Sequence, residues 1–97
     1  MPSYFSLKKD LDLIVRNPEG KVFEGRAVAL SSFDSKGPFD ILPYHANLIS
    51  IIKRKLVIYE TRDIKKEIPL ERGLLMVFEN HISVLLGIET FTKNNDL

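Results

Sequence analysis

Cysteine is absent from the 97-residue chain. Disulfides and cysteine-ligated metals are thereby excluded, and the composition fits a reducing compartment. An excess of one charge is also lacking, since 14 basic residues against 13 acidic ones leave a formal net charge of +1. No bulk field favours a nucleic acid or an anionic membrane surface as partner. Long apolar runs are missing too. Met1–Asp10 has no uninterrupted apolar core of the kind a signal peptide needs, and no run approaches the ~20 residues of a membrane-spanning helix. The expectation is a cytoplasmic protein. Glycine is sparse, and Gly20, Gly25, Gly37, Gly73 and Gly87 form no phosphate-cradling motif. His45 and His81 stand too far apart for a metal-ligand spacing. No cofactor and no metal is expected.

What is present is a globular composition, 44% apolar and 28% charged, on a chain long enough for one core. Residues 1–10 read as an N-terminal extension, 11–91 as the folded domain and 92–97 as a frayed tail. Leu11, Leu13 and Val15 recur with the period of two of a half-buried strand. Asn17-Pro18-Glu19-Gly20 is a turn by composition. Lys21–Phe33 follows as a strand, with Gly25 marking a bulge or a close backbone approach and Ala27–Leu30 predicted to be buried on both faces. Leu48–Ile52 is isoleucine-rich and favours a strand, which Lys53-Arg54-Lys55 closes before Leu56–Tyr59 opens another. Glu60–Asp63 is a hairpin loop, and Ile64–Leu70 returns from it with Lys65, Lys66 and Pro69 as edge protection. Leu74–Phe78 is the most apolar run, and Glu79-Asn80 turns it back into His81–Leu86. Many short strands and no helix predict an all-β sandwich or barrel.

One stretch is more specific than its composition. In Gly37-Pro38-Phe39-Asp40-Ile41-Leu42-Pro43-Tyr44-His45-Ala46-Asn47-Leu48, Gly37 and Pro38 make a sharp turn cheap, and Pro43 ends ladder pairing. Phe39, Ile41 and Leu42 are expected to anchor this corner, leaving Tyr44 and His45 to meet a partner. A catalytic reading would take His45 as base, Asp40 as its orienter and Ser50 or Ser83 as nucleophile. Neither serine sits in a nucleophile elbow; both lie within apolar strands, so catalysis is not expected. Lys53-Arg54-Lys55 reads as a solvated strand end, because alternation splits it between two faces without interleaved aromatics.

The order Gly-x-Phe-x-Ile-Leu-Pro-x-His-Ala-x-Leu over Gly37–Leu48 resembles the signature of the epsilon subunit of the rotary, proton-translocating ATP synthase. Leu11–Arg16, the turn at 17–19 and Val22–Gly25 resemble that family's opening strands. Arg72–Val77 and Ile82–Leu85 are similar to its closing hairpin. The resemblance implies a ten-stranded β-sandwich without catalytic residues. Such a domain links the gamma subunit to the membrane-embedded c-ring and couples rotation to ATP synthesis, sitting on the inner face of the cell membrane only through the complex. It implies a c-ring-facing corner made of Lys36, Gly37, Pro38, Asp40, Tyr44, His45 and Asn47, with gamma contacted by edge strands. Where the family often carries acidic residues around the first glycine, this chain has Lys36 and Pro38, which leaves Asp34 or Asp40 as substitutes. Asp40, Tyr44 and Asn47 depart from the motif as well. The family usually continues into a C-terminal helical hairpin that senses ATP. The chain stops at Leu97, as a naturally short form or a truncated one, so no ATP-binding or inhibitory arm is expected. The alternative function is a free-standing β-sandwich interaction module on the same fold.

Overall fold

A computed structural model describes residues 10–87. Residues 1–9 of the expected extension, residues 88–91 of the expected domain and the expected tail at 92–97 lie outside these residues. Seven strands run β1 Leu11–Asn17, β2 Gly20–Ala27, β3 Ala29–Asp34, β4 Gly37–Ile41, β5 Leu48–Tyr59, β6 Lys65–Phe78 and β7 His81–Leu86. They form one hydrogen-bonded sheet of order β2-β1-β7-β6-β5-β3-β4, parallel only between β1 and β7. The described residues contain no helix, so the all-β expectation holds.

Ten strands were expected and seven are found, because the chain does not break where its charges cluster. Lys53-Arg54-Lys55 lies inside the twelve-residue β5 rather than ending it. Ile64–Leu70 and Leu74–Phe78 likewise merge into the fourteen-residue β6, apart from Ile64 itself. The two long strands stay paired through an irregularity, Ile52 opposing Gly73 while Arg54 opposes Leu70. Glu71 and Arg72 therefore stand against Lys53 alone, an extra residue on β6.

That extra residue changes which side chains of β6 face inward. Before it, Ile68 and Leu70 pack against the core; after it, Gly73, Leu75 and Val77 are buried. On β5 the inward set keeps its phase, with Ile52, Leu56 and Ile58 all buried. One cluster joins Leu13, Val15, Leu75 and Val84 from one half of the sheet to Leu30, Ile41, Leu56 and Ile58 from the other. A single flat layer cannot bury these side chains, so the sheet folds over and β5 and β6 serve both layers.

Local chemistry accommodates the crossing. β3 also slips against β5, with Ser31 opposite Val57 but Phe33 opposite Lys53. Ser32, 2% exposed, donates its Oγ to the Lys55 carbonyl at 2.7 Å within that slip. The Lys55 carbonyl thus points to β3, so in the Lys55–Pro69 pair the backbone polar groups point apart. The missing N–H of Pro69 falls on the open side, where β6 has no second neighbour, since β7 pairs only with Gly73–Phe78.

Three further expectations need correction. The β1–β2 slip lies at Val22, between Lys21 and Phe23, and not at Gly25, which pairs regularly with Leu13. Ala27–Leu30 is not doubly buried; Val28 is 37% exposed and separates β2 from β3, its N–H donating to the Tyr59 carbonyl. The turn before the signature stretch centres on Ser35-Lys36, with Asp34 opposite Gly37, and Pro38 already lies in β4. The turn at 17–20 is as expected, with Asn17 Oδ1 accepting from the N–H groups of Glu19 and Gly20.

Two substitutions test the crossing by denaturant unfolding. A Cβ on Gly73 would lie 3.1 Å from the Leu85 carbonyl oxygen, a backbone atom held in the ladder. Gly73→Ala is expected to cost about 1–3 kcal/mol by overpacking. Ser32→Ala strips the Lys55 carbonyl of its donor at a buried position and is expected to cost about 1–3 kcal/mol. Wild-type stability in either variant would contradict this account.

Candidate functional site

The signature residues do not collect into one corner. Lys36, Gly37 and Pro38 lie at the β3–β4 hairpin, and Tyr44, His45 and Asn47 lie beyond the other end of β4. Five extended residues at roughly 3.3 Å each separate the two groups by more than 10 Å. Pro38 and Asp40 are exposed along β4, which is an end strand of the sheet. The candidate site is therefore a rim that follows an edge from tip to tip.

Each tip is shaped by its own backbone chemistry. Lys36 donates its N–H to Asp34 Oδ1 at 2.8 Å, and Gly37 follows at φ 125, where a side chain would be strained. A Cβ there would meet no atom within 4 Å, so conformation rather than space calls for glycine. Asp40 accepts a hydrogen bond from Ser31 Oγ at 2.6 Å. It is thus paired across β3–β4 and is not the orienter of His45. At the far tip the His45 N–H donates to the Leu42 carbonyl at 3.1 Å, closing a turn with Pro43 and Tyr44 at its centre. Proline first and a positive φ second, here φ 70 at Tyr44, are the marks of a type II turn. Tyrosine occupies a position that glycine or asparagine usually fills.

A second turn holds this one in place. Glu79 (φ 48) and Asn80 (φ 67) join β6 to β7 with both residues left-handed, as in a type I′ hairpin. Asn80 Oδ1 accepts from the Tyr44 N–H at 2.6 Å, and Asn47 Oδ1 accepts from the Glu79 N–H at 2.8 Å. The Asn80 carbonyl accepts from the Asp12 N–H at 2.8 Å, so one residue ties β1, the hairpin and the signature turn. A shallow groove between the turns is lined by Tyr44, His45, Ala46, Asn47, Glu79 and Asn80. Sequence reasoning missed Glu79 and Asn80 as parts of the site. Their positive φ was legible as a tight turn, but their partners are distant in the chain.

The anchoring expectation holds in part. Ile41 is 1% exposed and Phe39 packs against the core, whereas Leu42 is 57% exposed and anchors nothing. Tyr44 is 64% exposed. His45 is half-buried, with Nδ1 2.7 Å from the Ala46 carbonyl, so that nitrogen carries the proton in this contact. Ser50 Oγ contacts the Ile51 carbonyl at 3.5 Å. Among the described residues no hydrogen bond links His45 to Asp40, Ser50 or Ser83, and no group of His, Asp and Glu side chains could hold a metal ion. Arg54 stacks over the Phe33 ring at 5.0 Å and Lys55 lies 3.5 Å from Glu67, so two of the three basic residues are engaged within the fold. The arrangement suits contact with a macromolecular surface rather than chemistry.

Comparison with known proteins identifies the family. Residues 10–88 match the family model described as the ATP synthase delta/epsilon chain beta-sandwich domain. The ATP synthase epsilon chain of a Nitratiruptor species is 35% identical over 77 residues, covering 78% of this chain and 60% of that one. The ATP synthase epsilon chain of Campylobacter fetus subsp. fetus is 29% identical over 86 residues, covering 88% and 67%. The chain thus spans about three-fifths to two-thirds of the length of these relatives. Among solved structures, a chain of the Euglena gracilis mitochondrial ATP synthase (OSCP/F1/c-ring) superposes with a TM-score of 0.73. It shares 11% identity, and the match covers 90% of this chain and 62% of that one. A chain from the Tetrahymena thermophila mitochondrial ATP synthase central stalk/c-ring gives 0.65 at 14% identity, covering 81% and 64%. These two similarities concern the fold.

The turn-to-turn clamp is open to a direct test. Asn80→Gly keeps a residue that tolerates positive φ but removes the acceptor for Tyr44, and Asn47→Ala removes the acceptor for Glu79. Each is expected to lower stability by about 1 kcal/mol and to speed exchange of the freed amide. Because both bonds join the same two turns, a double-mutant cycle is expected to show coupling of at least about 0.5 kcal/mol. Strict additivity would mean that the two bonds act separately.

Proposed function

We propose, from the premise that the chain belongs to the family of ATP synthase delta/epsilon chain beta-sandwich domains, that it is a non-catalytic subunit of the central stalk of a proton-translocating ATP synthase. In this role it links the gamma subunit to the c-ring and couples rotation to ATP synthesis. It lies in the cytoplasm on the inner face of the cell membrane, held there only through the complex. The β-sandwich domain is taken to run from residue 11 to residue 91. The observation that carries the proposal is the family match over residues 10–88, within which the signature stretch forms a conformationally fixed rim with no catalytic relay.

The c-ring contact is assigned to Lys36, Gly37, Pro38, Asp40, Tyr44, His45 and Asn47. Their geometry supports a division of labour. Gly37 and Asn47 hold backbone shape, while Lys36, Pro38, Tyr44 and the imidazole of His45 offer side chains to a partner. Asp40 keeps a free carboxylate oxygen beside the one that Ser31 uses, and can accept from a basic loop. Polar and mildly charged, the rim suits a surface it must grip without an extensive apolar seal.

The test is carried out on the assembled enzyme in inverted membrane vesicles. Tyr44→Ala combined with His45→Ala is expected to leave ATP hydrolysis within about twofold of wild type while lowering ATP-driven proton pumping several-fold. Ile41→Asp is unsuitable for this purpose, because Ile41 is 1% exposed and a buried carboxylate would unfold the domain. Unchanged pumping would overturn the assignment of the rim. Failure of the chain to co-purify with the gamma subunit and the c-ring would overturn the stalk reading itself.

A further inference from the structure

Among the described residues, Arg54 is the one non-glycine residue that holds a positive φ inside a strand. Its φ of 75 lies in the left-handed region, which disfavours a side chain and which strand bulges often give to glycine. It stands at the slip of β5 against β6, where Ile52 opposes Gly73 and Arg54 opposes Leu70. Strain of this kind collects where a side chain has a task.

The task is legible in what surrounds the guanidinium. Arg54 is exposed, and its guanidinium carbon lies 5.0 Å from the centre of the half-buried Phe33 ring. Stacking occupies one face of the guanidinium and leaves the in-plane N–H donors free. Among the described residues Arg54 makes no ion pair, and its guanidinium donates no hydrogen bond. The stack holds the fork in place before a partner arrives, which lowers the entropy lost on contact. Phe33 opposes Pro38, and Ser31, two residues earlier, opposes Asp40. Phe33, Pro38 and Asp40 therefore share a face, and the stack brings Arg54 onto it.

We propose that Arg54, stacked on Phe33, is the receptor for a carboxylate side chain on the polar loop of the c-ring. A planar fork of donors fits a carboxylate or a phosphate with two parallel hydrogen bonds. Asp40 decides between the two, because it stands two residues from Pro38, about 7 Å along the same face. Its free carboxylate oxygen repels a phosphate and calls for a cation beside the bound acid. A polypeptide loop holds opposite charges at that spacing, whereas the phosphate of an anionic lipid does not. The net charge of +1 adds no field toward an anionic membrane. The c-ring is the occupant because Pro38 and Asp40, on the same face, are the residues assigned to it above. The loop that fits carries its carboxylate over Phe33 and a basic residue over Asp40.

This assignment rests on the stalk reading, and two measurements separate the two. The first compares binding of the purified chain to ATP synthase depleted of it with denaturant unfolding of the isolated chain. Arg54→Gly suits the left-handed backbone and removes the guanidinium. It is expected to weaken binding about tenfold or more while the unfolding midpoint stays no lower than wild type. A purely structural role would not produce that split. Arg54→Lys keeps the charge without the fork and is expected to fall between the two, while Arg62→Gly in the loop after β5 leaves binding unchanged. The second measurement treats the enzyme assembled with the Arg54→Lys chain with a carbodiimide, which joins amines to carboxylates in contact. Peptide mapping is expected to find residue 54 linked to a carboxylate of the c-ring loop. A link to another subunit, or none with the chain present, overturns the carboxylate contact and leaves the stalk reading standing. Wild-type binding by Arg54→Gly does the same, and a lowered unfolding midpoint makes Arg54 a residue of the fold and also overturns the proposal. Absence of the wild-type chain from the complex overturns both.

Discussion

The extra residue of β6 opposite Lys53 is the constraint on which the rest depends. Two long strands cannot cross from one layer of a sandwich to the other with an unbroken alternation, because the inward face must change phase on the outer path. The slip at Glu71–Arg72 makes that change on β6 while β5 keeps its phase. Leu75 and Ile68 can then both face one core, as can Ile52 and Leu56. Ser32 and Pro69 are the local accommodations. One supplies a donor to a carbonyl turned from the regular ladder, and the other has no N–H to leave unpaired on an open edge.

The same core positions the rim. Ile41 is driven into the cluster, which ends β4 and places Pro43 and Tyr44 next to the β6–β7 turn. There the two turns exchange side-chain acceptors, Asn80 to Tyr44 and Asn47 to Glu79. A proline, a left-handed tyrosine and two asparagine clamps leave the exposed Tyr44 on a backbone with little freedom. A contact surface benefits from such rigidity, because ordering a loose loop on contact would cost conformational entropy.

The β-sandwich thus divides its periphery by chemistry. One edge, along β4, is polar and shaped by turns, whereas the start of β5 is apolar and paired on one side only. Two such different edges on one small domain suit a linker between dissimilar partners. The charge balance of +1 hides this division, since local groupings such as Lys36, Lys53 and Arg72 cancel in the total.

Local preference was legible in the residues themselves. The alternation of Leu11, Leu13 and Val15, the Asn17–Gly20 turn and the Glu79-Asn80 hairpin all stand where their chemistry indicates, because each depends on residues a few positions apart. The signature stretch likewise pointed to its family without coordinates. What the sequence misrepresented was length and phase: basic residues at 53–55 looked like a strand end, and Gly25 looked like the site of a slip that occurs at Val22. Side-chain polarity reports exposure, while strand ends and slips are decided by which register buries the most apolar surface across the whole sheet. For the same reason the site was half visible. Tyr44 and His45 could be named from the motif, but their separation from Lys36 and Gly37 along β4, the clamp from Asn80, and the exposed edge at Leu48–Ile52 are set by contacts between residues far apart in the chain. The sequence by itself determined the strands, the turns and the family; only the tertiary structure decided which edges remain open, because an edge is defined by the neighbour it lacks.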